Sequence, residues 1–258
     1  MKGAKIGRNG NFGFKNKYTH YELGYDEIMK AKPNYTRYGG VSVSYADGDA
    51  SYSRGSGDNN SRAINFYVTE MGKKGHYLDV VLRFHHMDSN FKMFDEKGQK
   101  IRGDIHNVGV SLSGEYGRKK AIDDRGWYIE PQGQLTLGYL GGDDYTTTNG
   151  IDVSQGGIRS ALGRLGFNIG KDIDVKTNIY VKANLLHEFG GGYDAALTDR
   201  SGARIKVDRS FKDTWFEYGI GAAIQTGSNN HIFLDFERSA GGDFKKDWSW
   251  NVGARWTF

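Results

Sequence analysis

The residues best equipped for chemistry in this chain are its histidines, at positions 20, 76, 85, 86, 106, 187 and 231, because the chain has no Cys. None of them sits in a His-Glu-x-x-His or comparable ligand spacing, so the order along the chain predicts no metal centre. His85 and His86 are adjacent, and on a strand they would point to opposite faces and could not chelate together. Zero Cys removes disulfides, thiolate zinc, iron–sulfur clusters and thiol catalysis in one stroke. A Gly-x-Ser-x-Gly nucleophile signature is also missing. Asp47/Asp49 and Asp143/Asp144 offer oxygens of the kind calcium takes, although solvated turn carboxylates are the simpler reading. The expectation is a chain with no catalytic residues, no metal, no cofactor and no enzymatic activity.

The elements that must carry these residues are strands. In 258 residues there are 38 Gly, 16 Tyr, 14 Phe and 5 Trp but only 2 Pro. Gly-rich chains that stay disordered are usually Pro-rich and poor in aromatics, so disorder and collagen are excluded. The net charge is +4, spread without a basic block, which gives nucleic-acid binding no support. Mean hydropathy is −0.65, and no apolar run is long enough for a membrane helix. A membrane β-barrel escapes that test, because its strands show lipid only every second residue. Met1-Lys2-Gly3 opens no signal peptide, which suggests mature or excised numbering.

Alternation recurs about every twenty residues. Trp248, Trp250, Val252, Ala254, Trp256 and Phe258 share one face of the final segment, and Ser249, Asn251, Gly253, Arg255 and Thr257 share the other. Twelve strands are predicted near 2–8, 17–28, 35–46, 62–72, 76–88, 104–117, 126–140, 158–170, 175–189, 213–226, 230–240 and 247–258. Short links alternate with long polar ones at 47–61, 89–103, 141–157 and 190–212, the rhythm of an outer-membrane barrel. Gly-Gly with a nearby Asp recurs at Gly141, Gly191 and Gly241, read as turn chemistry on the long-loop rim.

The fold expected is therefore all-β: one domain over 1–258, a closed 12-stranded antiparallel transmembrane β-barrel of outer-membrane type. Its apolar face would meet lipid, and its polar face would enclose a hydrated or plugged lumen lined by Glu130, Arg164, Lys182, Glu188, Glu217, Asp235, Glu237 and Arg255. Aromatics near strand ends would form two girdles, with Trp127, Tyr128, Trp256 and Phe258 on the short-turn side and Trp215 and Trp248 on the long-loop side.

Several segments, in this order, carry a resemblance: Leu23-Gly24-Tyr25-Asp26, Gly126-Trp127-Tyr128-Ile129-Glu130-Pro131-Gln132, Arg164-Leu165-Gly166, Leu185-Leu186-His187-Glu188-Phe189 and Val252-Gly253-Ala254-Arg255-Trp256-Thr257-Phe258. Together they resemble the translocator domain of monomeric type V autotransporters over nearly the whole chain. The resemblance implies a monomeric outer-membrane barrel that supports export and surface anchoring of an N-terminal passenger. It also implies a pore helix ahead of the first strand, which would make this chain an excised barrel. Implied partners are outer-membrane lipid, the barrel assembly machinery, periplasmic chaperones and the passenger itself. The last strand, Trp248, Trp250, Val252, Ala254, Trp256 and Phe258, would act as the C-terminal insertion signal. A passive channel, or an outer-membrane protease or phospholipase, remains the alternative.

Overall fold

A computed structural model describes residues 2–6, 14–227 and 230–256. In chain order the strands are β1 (Lys2–Ile6), β2 (Phe14–Lys32), β3 (Tyr35–Tyr52), β4 (Gly55–Gly72), β5 (His76–Phe94), β6 (Lys100–Arg118), β7 (Lys120–Ala121), β8 (Trp127–Leu140) and β9 (Asp143–Thr146). They continue as β10 (Asp152–Gln155), β11 (Ile158–Asp172), β12 (Thr177–Glu188), β13 (Gly192–Thr198), β14 (Arg204–Ser210), β15 (Asp213–Gln225), β16 (Asn230–Ala240), β17 (Phe244–Lys246) and β18 (Ser249–Trp256). No helix occurs among the described residues.

Antiparallel ladders run from β2 through β3, β4, β5, β6, β8, β11, β12, β15 and β16 to β18. β1 pairs with β17 on one side and with β2 on the other, and only residues 247–248 separate β17 from β18. Among the described residues the wall thus has twelve strands when β17 and β18 count as one and the short or rim elements β7, β9, β10, β13 and β14 are set aside. Curling the sheet round in this way gives its backbone groups partners, as a bilayer requires.

The pattern of exposure is inverted relative to a water-soluble protein. Leu23, Val43, Phe66, Leu165, Ile220 and Trp250 are exposed, whereas Ser42, Ser44, Asn65, Asn107, Asn184 and Lys246 are buried. Period-two alternation explains how one strand does both: in β4, Ala63 and Asn65 turn in while Ile64 and Phe66 turn out. Water is excluded from the apolar side by lipid rather than by a second layer of protein.

Three expectations need correction. The segments 47–61 and 89–103, expected as long loops, are continuations of strands: β3 and β4 extend to a turn at residues 53–54, and β5 and β6 extend to residues 95–99. Above the bilayer both faces meet water, so apolar alternation fades while the backbone ladder carries on. The segments 141–157 and 190–212 likewise contain β9, β10, β13 and β14. Finally, Trp215 and Tyr128 are buried and turn inward, not into lipid-facing girdles. Trp215 shares the parity of Glu217, and its indole Nε1–H donates to that carboxylate at 3.2 Å. Trp127, Trp248 and Trp256 are exposed, and Phe258 lies outside the described residues.

The Gly-rich composition acquires a reason from the register. Tyr77 lies opposite Gly117, Tyr128 opposite Gly170, and Tyr180 opposite Gly221. In each pair a Cβ on the glycine would collide with the tyrosine ring, so the aromatic lies flat across its neighbour's backbone. Gly191, Gly241 and Gly242 serve differently: their φ values of 78°, 78° and 67° place them in the left-handed turn conformation at the ends of the rim.

Candidate functional site

The inner wall from β6 to β17 gathers a hydrogen-bonded network of charge. Arg164, on β11, donates from Nε to Gln134 at 2.8 Å and from Nη1 to Gln132 at 3.0 Å and Asn184 at 2.9 Å. Its Nη2 is paired with Glu115 at 2.8 Å. One guanidinium therefore ties β6, β8, β11 and β12 together, a task suited to a planar five-donor fork. Next along the wall, Lys182 Nζ lies 2.7 Å from both Asp235 and Glu237. Glu237 is shared with Lys246, whose Nζ lies 3.0 Å from it and 2.6 Å from Glu217. Tyr180 and Tyr77 donate their hydroxyls to Asp235 and Glu115 at 2.8 and 2.6 Å.

These side chains surround a cavity of about 530 Å³ lined by Arg164, Lys182, Glu217, Asp235, Glu237 and Lys246, with Tyr18 of β2 among its other walls. Such a lining offers paired charge and water-sized space, and nothing in it combines a nucleophile with a base. The cations Arg164 and Lys182 come from neighbouring β11 and β12 and the carboxylates from neighbouring β15 and β16, with Lys246 beyond them, so three cations balance three carboxylates around the cavity. Five of the eight expected lumen residues meet here. Glu130 stands beside the cavity and accepts from Gln132 and Asn168 at 2.7 and 3.1 Å. Glu188 sits at the rim end of β12, where it accepts from Ser160 Oγ at 2.6 Å and from the backbone N–H of Ala161 and Gly190, each at 2.8 Å. It fixes the turn into Gly191. Arg255 reaches across from β18 to Asp26 of β2 at 2.5 Å and lies over the Tyr38 ring at 5.1 Å.

Lys246 was the residue that sequence reasoning missed. It falls in a segment read as a link, and only pairing with β1 reveals a strand there. It is 6% exposed, among the most buried charges described, and its two carboxylates come from strands further back in the chain. A further group was hidden because it depends on register. His86 and Asp88 on β5 meet His106 on β6, and Asp88 Oδ1 lies 2.9 Å from His86 Nε2 and 2.7 Å from His106 Nδ1. Hydrogen bonding to His106 first, then His86, holds the Asp88 carboxyl below the usual range, and the same bond raises His106.

Trp248, just ahead of the last strand, and Trp250, Val252, Ala254 and Trp256 on it are exposed, and Ser249 is buried. Turns outside the bilayer repeat one device, in which an Asp carboxylate accepts backbone N–H groups two to four residues on. Asp174 accepts from Lys176 and Thr177 at 2.7 Å each, and Asp199 from Ser201 and Ala203 at 2.8 and 3.0 Å. The Lys176 amide first holds the Asp174 carboxyl below its ordinary range, and the Ser201 hydroxyl, donating at 2.6 Å, does so first for Asp199, with the backbone amides behind it.

A lipid-facing apolar exterior around a charged lumen defines an outer-membrane barrel, and comparison with known proteins narrows the class. A model of the Autotransporter beta-domain family matches residues 2–237, and the chain belongs to that family. It is therefore a translocator barrel of type V secretion, located in the bacterial outer membrane. It is 31% identical over 250 residues to the pertactin autotransporter of Bordetella parapertussis, covering 95% of this chain and 26% of that protein. It is 27% identical to the probable autotransporter YcgV of Escherichia coli, covering 95% of this chain and 25% of that protein. The chain thus spans about a quarter of the curated relatives it matches. Among solved structures, the beta domain of the Bordetella autotransporter BrkA aligns with a TM-score of 0.77 at 23% identity, covering 100% of this chain and 96% of that one. The translocator domain of NalP from Neisseria meningitidis aligns at 0.75 with 11% identity, covering 100% and 85%.

Proposed function

We propose that this domain exports and anchors a passenger joined to its N-terminal side, and that the charged lumen is the surface against which the connecting segment rests. The observation that carries the reading is the pair of hydrogen-bonded clusters, one around Arg164 and one from Lys182 to Lys246, that line one open cavity in a chain of the autotransporter β-domain family. A passing polypeptide presents unpaired amide and carbonyl groups at every residue. A wall that mixes donors and acceptors, already bonded to one another, can exchange partners with such a chain without leaving any group dry. Glu130, Arg164, Lys182, Glu188, Glu217, Asp235, Glu237 and Arg255 are assigned to this lining, with Lys246 added.

The strand bearing Trp248, Trp250, Val252, Ala254, Trp256 and Phe258 serves as the address read by the barrel assembly machinery, after delivery by periplasmic chaperones. Edge pairing supplies the affinity and alternate aromatics the register. The barrel works as a monomer over its single domain. Relatives include the serine protease pet autotransporter of Escherichia coli, 26% identical over 95% of this chain but only 19% of that protein, and no catalysis is assigned to the present domain.

Planar-bilayer recordings test the lumen assignment. The chain alone should pass more current than a version extended with the pore-proximal segment of the pertactin autotransporter. Equal conductance would remove the lumen-resting segment from the account. Deleting Phe258 should sharply reduce assembly in cells while leaving refolding in detergent nearly unchanged, and normal assembly would end the address reading.

A further inference from the structure

We propose that His86, Asp88 and His106 form a binding site for a borderline divalent transition-metal ion, of the zinc, nickel or copper class, on the outer surface of the barrel just above the bilayer. Their ligand atoms, His86 Nε2, Asp88 Oδ1 and His106 Nδ1, lie within 4.8 Å of one another. Tetrahedral zinc with bonds of about 2.0–2.1 Å needs its ligands roughly 3.3 Å apart. Two of the three separations, 2.9 and 2.7 Å, are already slightly shorter than that, so small side-chain rotations open the site.

The backbone places these groups without loop ordering. Asp88 and His106 are direct partners in the β5–β6 ladder, and His86 precedes Asp88 by two residues on the same face. The two imidazole rings lie 6.5 Å apart and 15° from parallel, flanking the carboxylate between them. Two imidazoles and one carboxylate suit zinc, nickel and copper, while calcium and magnesium prefer oxygen donors throughout.

Position on the wall keeps the site in water. Along β5 the outward residues run Leu78, Val80, Leu82 and Phe84 before changing to His86 and Asp88, and along β6 Leu112, Val110 and Val108 give way to His106 and Asp104. His86 stands ten residues beyond His76, which places it about 26 Å up a wall tilted by ~40°, at the top of an apolar band ~25 Å tall. Asp143 adds negative charge beside the site, its Oδ2 accepting the backbone N–H of His106 at 2.7 Å. Arg62 is the opposing cation, paired in register with His86 from β4. With three protein donors, the remaining coordination positions face solvent and are open to water or to a ligand from outside.

The test is Zn(II) titrated calorimetrically, with chelators removed, into the full 258-residue chain refolded in detergent. One ion should bind per chain. His86→Ala and His106→Ala should each weaken binding by at least about tenfold, the loss already typical when only an outer-shell partner is removed. Asp88→Asn preserves shape and should weaken it similarly, whereas His187→Ala and His231→Ala should leave it unchanged. Cu(II) electron paramagnetic resonance should display nitrogen coupling that His86→Ala and His106→Ala each reduce. Circular dichroism identifies any variant that fails to fold, and Asp88→Asn then stands in for it. No binding at millimolar zinc, or binding that survives the double variant His86→Ala/His106→Ala, would overturn the site.

Discussion

Two stretches of the barrel wall share one backbone plan and treat the lumen in opposite ways. Over residues 42–50 and 63–65 the wall of β3 and β4 turns inward Ser42, Ser44, Ala46, Gly48, Ala50, Ala63 and Asn65, all small and uncharged. The wall from β11 to β17 turns inward Arg164, Lys182, Lys246, Glu217, Asp235 and Glu237. On the small wall Ser42 Oγ donates to Glu22 at 2.6 Å and accepts from Asn65 Nδ2 at 2.9 Å, while Ser44 Oγ and Asn65 Oδ1 have no protein partner among the described residues. The charged wall satisfies its groups through its own neighbours. Small residues make room, whereas the long paired side chains brace nearby strands against one another along the wall. Stability should therefore depend on the charged wall far more than on the small one.

The largest effect expected is at Lys246. Replacing it with Met leaves Glu217 and Glu237 buried with less cationic partnering, and breaking a buried pair by removing one partner costs about 3–5 kcal/mol. Urea titration of refolded barrels measures it. Adding Glu217→Gln should recover a good part of the loss, because it removes the stranded charge. Ser44→Ala on the small wall should change stability by less than about 0.5 kcal/mol, since its hydroxyl has no partner to lose. Equal losses at Lys246 and Ser44 would break the contrast between the walls.

Outside, the walls should be alike. Val43 on β3 is 55% exposed and Val252 on β18 is 54% exposed, both on the apolar face. Lysine at either position should cost about 2–4 kcal/mol near mid-membrane, falling toward the rims, while Asn251→Lys should cost much less. A cheap Val252→Lys with a costly Asn251→Lys would mean that the phase of the last strand is reversed.

How much of this could be read from the chain follows from which signals survive without register. Alternation at Trp248–Trp256 and at Ile64–Val68 is a property of one strand, so fold class and face were legible. Arg164, Lys182, Glu217, Asp235 and Glu237 each follow or precede an apolar neighbour within their own strand, a pattern that needs no register to see. Their pairing was not legible: Lys182 meets Glu237 over a separation of 55 residues, and nothing local links them. The His86–Asp88–His106 group failed to register for that reason too. The extended ends of β3 to β6 were missed because alternation fades where both faces of a hairpin meet water.

A smaller effect probes the tyrosine-on-glycine contacts. Gly221→Ala drives a methyl into the Tyr180 ring, which donates to Asp235, so the cost should be about 1–3 kcal/mol, as for other overpacking. At Gly114 a Cβ meets nothing within 4 Å, and Ala there should be neutral or stabilise by up to about 1 kcal/mol through the unfolded chain. If the two substitutions unfold at the same urea concentration, the rings do not depend on their glycines.

The smallest effect concerns the turns, and it separates the walls by pH. The β11–β12 turn of the charged wall is closed by the Asp174 carboxylate on the N–H groups of Lys176 and Thr177, while the turn at residues 53–54 on the small wall, Ser53-Arg54, has no carboxylate within it. These two donors, the Lys176 amide first, hold the Asp174 carboxyl below its ordinary value. A carboxyl depressed in the folded state contributes stability that is complete above the unfolded value, about 3.9, and is lost as pH falls through the lower folded value. Protonation removes the acceptor charge, so the two amides should open more readily in that acidic window and not near neutrality. Amide exchange at Lys176 and Thr177, followed by nuclear magnetic resonance in detergent and corrected for the intrinsic pH dependence of exchange, should show this rise in opening. Asp174→Asn should abolish the pH dependence, and amides at 53–54 should show none of it. The same profile at both turns would trace the effect to the barrel as a whole, and the turn-by-turn distinction between the walls would fall.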